Sequence, residues 1–107
     1  HKIQIEIRNG CGVSNLARMY TDFLREQGLD VLDSKNADHF NYLETQILHH
    51  RGNLKRAKEL ANILMIEDSK IIEDKNELLF YDLTLIIGKD YITLPSYREA
   101  VLFQPPF

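Results

Sequence analysis

The residues best suited to chemistry stand near the amino end, where Asn9-Gly10-Cys11-Gly12-Val13-Ser14 separates an alternating apolar segment from a helical one. Glycines at such a junction leave backbone N–H groups free at the start of a helix, where the helix dipole favours an anion. Asn9, Gly10, Gly12 and Ser14 are therefore candidate anion ligands. The run also looks like a dinucleotide-binding glycine pattern without its third glycine, with Asp33 available as a ribose-binding acid. The chain is too short for the doubly wound fold which that pattern serves, and a strand-to-helix turn accounts for the glycines more simply. Cys11 would act as a nucleophile only if His39, His49 or His50 reached it in the folded chain. A small spacer in a tight turn is the simpler role. His49 and His50 are adjacent on a predicted strand, so they face opposite ways and do not share a metal; one surface and one semi-buried histidine are expected.

A second cluster, Asn36-Ala37-Asp38 followed by Phe40 and Tyr42, offers amide, carboxylate and aromatic groups of the kind that meet sugar hydroxyls and ring faces. Asn36, Asp38 and Tyr42 are candidate ligand-binding residues on that ground. The competing role is local, with Asn and Asp closing side-chain turns and the aromatics anchoring the loop. Arg51, Lys55, Arg56 and Lys58 form a basic set at the start of a predicted helix, which reads as a solvated face. No cofactor or metal site is expected.

These groups must be positioned by a chain of 107 residues, 44% apolar and 27% charged, with 13 basic and 16 acidic side chains and a formal charge of −3. This is enough for one core without a metal or disulfide staple. The mild acidity argues against nucleic-acid binding through bulk charge. No apolar run approaches the roughly 20 residues of a membrane helix. The chain opens almost directly on a strand behind His1, as expected of a domain whose leader or anchor lies outside this sequence.

Lys2 to Arg8 alternates as a half-buried strand, Ile3, Ile5 and Ile7 on one face and Gln4, Glu6 and Arg8 on the other. With Ser14 as cap, Leu16, Ala17, Tyr20, Phe23 and Leu24 form a helical stripe that Gly28 ends. Strands are expected at Leu29 to Ser34 and Thr45 to His50. A second helix capped by Asn53 follows, with Leu54, Ala57, Leu60, Ala61 and Leu64 inward. A short edge strand at Ser69 to Glu73 and a turn at Asp74-Lys75-Asn76-Glu77 lead to a last strand from Tyr81 to Ile87.

This order predicts an α+β fold, the split βαβ (ferredoxin-like) two-layer sandwich, with two helices on one face of a mostly antiparallel sheet. Its core should join Ile3, Ile5, Ile7, Leu83, Leu85 and Ile87 to Leu16, Tyr20, Phe23, Leu24, Ala57, Leu60 and Leu64. The other sheet face would be polar, with Gln4, Arg8, Asp82 and Thr84 as a candidate binding surface. Residues 92–107 are expected to be an extended or partly disordered tail.

The ordered series Ile7-Arg8-Asn9-Gly10-Cys11-Gly12-Val13-Ser14, Leu16-Ala17, Leu24-Arg25, Gly28, Asn36-Ala37-Asp38, Phe40, Tyr42, Thr45, Arg51-Gly52 and Gly88-Lys89-Asp90-Tyr91 resembles the LytR C-terminal domain family of cell-envelope proteins. It departs from that family at Asn15, where glycine is frequent. The resemblance makes residues 1–91 the domain. It implies a non-catalytic accessory role outside the cytoplasmic membrane, with an envelope polymer or another envelope protein as partner, no nucleic acid, and a membrane anchor only in a segment absent from this chain. The alternative is a small-molecule or RNA-binding regulatory ferredoxin-like domain. RNA binding of that kind stacks bases on aromatics of the central strands, where this sequence places Gln4, Glu6 and Arg8.

Overall fold

Isoleucine at every second position makes Gln4–Asn9 a strand, β1, with Ile5 and Ile7 wholly buried on one side. The structure, a computed structural model, describes residues 3–75 and 80–102. Helix α1 (Leu16–Glu26) leads back to strand β2 (Asp30–Asn36), which lies parallel beside β1. The unit then recurs as β3 (Gln46–His50), α2 (Leu54–Leu64) and β4 (Ile71–Asp74), with β4 parallel beside β3. Strand β5 (Leu83–Ile87) enters between the two halves, and a third helix, α3 (Pro95–Leu102), follows it.

The sheet order is β2-β1-β5-β3-β4. β1 is parallel to both β2 and β5, while β3 is antiparallel to β5. The fold is therefore α+β with a mixed sheet, which corrects the mostly antiparallel, split arrangement expected from the element order. In a split unit the returning strand leaves a gap beside its partner; here each helix returns the chain to the neighbouring position. Alternation along a strand specifies which side chains face inward, and says nothing of which strand lies next door. The two βαβ units run in opposite directions from opposite sides of β5, so right-handed crossovers in both place α1 and α2 on the same face. α3 touches both helices there.

The thirteen expected core residues are all buried in one cluster, which Val31, Ile47, Ala61, Leu94 and Ala100 complete. A register shift between Ile5 and Glu6 leaves Leu32 as the extra residue of a bulge in β2, so that Val31 faces the helices while Asp33 and Lys35 turn to the opposite face. α1 begins one residue later than its expected Ser14 cap. Its N-cap is Asn15, held at φ 66 with no side-chain cap bond. That left-handed conformation explains why glycine suits the position and why asparagine, the best tolerated alternative, replaces it.

The segment expected as an extended tail carries α3. Pro95 occupies its first turn, where a missing N–H costs nothing, so the proline starts the helix. Ser96 is fully buried and its hydroxyl shares a 3.0 Å hydrogen bond with Tyr20 Oη. Burial pushes the Tyr20 phenol up to about 12. Gln104 to Phe107, the Asn76-Glu77 part of the expected turn, and His1 and Lys2 lie outside the described residues.

Two glycines separate strain from crowding. A Cβ on Gly28, at φ +88, meets nothing within 4 Å, so Gly28→Ala should cost about 1 kcal/mol through backbone conformation alone. A Cβ on Gly88 would stand 2.5 Å from the Glu44 carbonyl carbon, so Gly88→Ala should cost more, about 2–3 kcal/mol, in the same urea titration. Tyr20→Phe should destabilise by about 1 kcal/mol in urea melts, because Ser96 loses its partner inside the core; an unchanged midpoint would mean that α3 does not seat on α1.

Candidate functional site

β1 ends at Asn9, whose side chain turns back into the loop it introduces. Its Oδ1 accepts the N–H groups of Cys11 (3.1 Å) and Gly12 (2.9 Å), and its Nδ2 donates to Val13 O at 2.8 Å. Gly10 N–H donates to Ile87 O at 2.8 Å, and Gly10 O accepts from Tyr42 N at 3.1 Å. The amides of residues 10–12 are thus committed within the fold. Gly10 has no room for a side chain, since a Cβ would lie 2.8 Å from Tyr42 Cδ2 and 2.9 Å from Ile87 O.

Beyond this turn opens a cleft of about 430 Å³ at the carboxyl ends of β1 and β2. Four of the expected ligand residues line it: Asn9, Gly12, Ser14 and Asn36. The parallel pairing of Asn9 with Asn36 brings them together. Asn15, Arg18, Ser34, Lys35 and Phe40 complete its polar and aromatic lining. The two cations carried no motif signal: Arg18 reads as a solvated helix residue and Lys35 as a loop residue. Knowledge that β2 lies parallel beside β1 would have placed both.

The other candidates sit elsewhere. Gly10 is buried behind the turn, and Tyr42 Oη donates to Asp38 Oδ1 at 2.6 Å. Their hydrogen bond lowers the Asp38 carboxyl below its usual range and raises the Tyr42 phenol. The His39 ring stacks on Tyr42 with centroids 4.3 Å apart. Cys11 Sγ lies 3.5 Å from Asn9 Oδ1, and both histidines of β3 are buried, which corrects the expectation of one surface histidine. Their alternation on β3 does send them to opposite faces, His50 to that of Thr84. Among the described residues no group of three or more His, Cys, Asp or Glu could hold a metal.

The sheet face away from the helices carries a polar row across all five strands. Lys35 Nζ of β2 lies 2.8 Å from Glu6 Oε1 of β1. Thr84 Oγ1 of β5 donates to Glu6 Oε2 at 3.0 Å, and His50 Nε2 of β3 lies 2.8 Å from Thr84 Oγ1. His50 Nδ1 stands 3.3 Å from the Asp74 carboxylate of β4, out of line for a hydrogen bond. Glu6, Thr84 and His50 are each 0% exposed. Thr84, expected at the surface, is thus hidden; Arg8 bonds Glu6 at 3.1 Å, and Asp82 accepts from Gln4 N at 3.0 Å.

Burial alone would raise the Glu6 carboxyl, but the bonds from Lys35, Arg8 and Thr84 outweigh it and hold its pKa below the usual value. For His50 burial wins over the attraction of Asp74, and the imidazole is held neutral below its ordinary pKa. The remaining family-like residues close the same end of the sheet as the cleft. Thr45 donates from N (2.9 Å) and Oγ1 (2.7 Å) to Asp90 Oδ1, and its Oγ1 accepts from Gly88 N at 3.0 Å.

The fold and cleft define a small mixed α+β domain with a polar, partly aromatic recess at the ends of two parallel strands. Residues 2–91 match the family model described as LytR cell envelope-related transcriptional attenuator, the LytR C-terminal family, and the chain belongs to that family. Searches of the curated proteins and of the solved structures found no match. No described helix is long and apolar enough to cross a membrane.

Both shifted groups give the same pH dependence. Each has a folded pKa below its unfolded value, so each stabilises fully above the unfolded value and loses that contribution as pH falls. Urea midpoints should therefore hold from pH 8 to about 7, fall as unfolded His50 begins to take up a proton near 6.5, and fall again below about 4.5 as unfolded Glu6 does. Glu6→Gln should flatten the acidic limb; a parent midpoint constant from pH 8 to 4 would refute the assignment.

Proposed function

We propose that this chain is a non-catalytic, extracytoplasmic accessory domain of a longer, membrane-anchored cell-envelope protein, and that it holds an envelope polymer or an envelope protein at the cleft beside α1. The observation that carries the reading is the convergence of Asn9, Gly12, Ser14 and Asn36, residues of the family-like series, on one accessible recess. Asp38 and Tyr42 bound the same loop but satisfy each other. Of the sheet-face candidates, the Arg8, Asp82 and Thr84 side chains are taken up by internal bonds, Asp82 by the Gln4 backbone N–H, and so the cleft is the better surface. A binding role also fits the side chains that would otherwise suggest catalysis. The partner of Cys11 is an amide oxygen, and His39, His49 and His50 are stacked or buried elsewhere.

Co-sedimentation with purified bacterial cell envelopes tests this. The parent domain should pellet with the envelope fraction, and Asn36→Ala/Phe40→Ala should reduce the pelleted share several-fold without lowering the melting temperature, because both side chains are exposed. A parent that stays in the supernatant with every envelope fraction would overturn the proposal.

A further inference from the structure

We infer that the cleft takes an acidic sugar, its acid group on Arg18 and its ring against Phe40. The inference rests on the binding role above and names the class of ligand. The lining contains no carboxylate, and with Lys35 given over to Glu6 its cation toward a ligand is Arg18, in a chain whose net charge is −3. Arg18 is exposed on α1 and forms no ion pair among the described residues, so its guanidinium retains its full capacity for paired hydrogen bonds to a carboxylate or phosphate. Lys35 lines the cleft as a residue but does not hold the acid, because its ammonium lies 2.8 Å from the buried Glu6 carboxylate and 3.6 Å from Asp33, on the sheet face away from α1.

Phe40 lies against Gly12, where a Cβ would come within 3.2 Å of the ring, and 44% of Phe40 remains exposed. An exposed aromatic face beside Ser14, Ser34 and Asn36 provides what a pyranose needs, an apolar platform with hydroxyl and amide partners at its rim. The backbone plays little part, because Asn9 already occupies the amides of Cys11 and Gly12. Side chains from α1, β2 and the following loop therefore hold the ligand.

The test is a set of ¹H–¹⁵N titrations of the whole chain with glucose 1-phosphate, oligogalacturonate and neutral maltooligosaccharide. Both acidic probes should shift the amides of Gly12, Arg18, Lys35 and Asn36, and the stronger of the two identifies phosphate or carboxylate as the acid; the neutral probe should not reach saturation. Arg18→Glu should weaken acidic-probe binding about tenfold or more, and Phe40→Ala by a smaller factor. Lys58→Glu, the same charge change on exposed α2, should leave it unaltered. Equal binding of the neutral probe, equal weakening by Lys58→Glu, or no shifts at the cleft would overturn the inference. Envelope sedimentation that survives Arg18→Glu would overturn it too, while leaving the accessory-domain reading in place.

Discussion

A carboxylate held wholly out of water sets the terms for the rest of the sheet. Glu6 is 0% exposed, and the cost of burying its charge is met only if β2 and β5 present Lys35 and Thr84 at matching heights. The bulge at Leu32 has its meaning here: it rotates Asp33 and Lys35 to the Glu6 face while Val31 stays in the core. Sliding β2 by one residue would strand the charge and expose the apolar side together. Register, bulge and the wall of the cleft thus follow from one buried ion, because Lys35 both neutralises Glu6 and lines the recess.

The residues that identify the family are mostly consumed by architecture. Asn9 closes its own loop, Gly10 admits Tyr42, and Thr45 is clamped between Asp90 and Gly88. These contacts bring the ends of β1 and β5 and the loop carrying Tyr42 into one knot, to whose outer side the cleft is attached. A motif that fixes backbone geometry can hold for a whole family, whereas the groups that choose a ligand project from ordinary surface positions and leave no such trace.

The same division explains what was legible in the sequence. Periodicity revealed the inward faces of β1, β5, α1 and α2, since burial imposes a repeat on every strand and helix. Strand adjacency has no such repeat, and so the parallel pairing of β1 with β5 was not readable. α3 was missed because Leu94-Pro95 signals a stop as readily as a start, and only the buried Ser96 and Ala100 decide between them. Thr84 was assigned to the surface because it alternates with core residues, and one of the two β3 histidines was expected there too; a second buried layer on the far face cannot be inferred from alternation alone. Within the cleft, Asn9, Gly12, Ser14 and Asn36 were legible through the turn, and Arg18 and Lys35 were not, because their meaning depends on tertiary neighbours.

The position of β5 also governs the order in which the molecule can assemble. Both βαβ units precede it in the chain, yet neither shares a hydrogen-bonded edge with the other until β5 lies between β1 and β3. The bond from Thr84 to Glu6 joins residues 78 positions apart. Closing so long a loop is slow, and before it closes the inner edges of β1 and β3 stand unpaired. Synthesis from the amino end therefore produces two open half-sheets first, and the fifth strand of the sheet is the one that turns them into a single cooperative unit. Vulnerability to edge-to-edge aggregation is thus concentrated in the interval before residues 83–87 arrive.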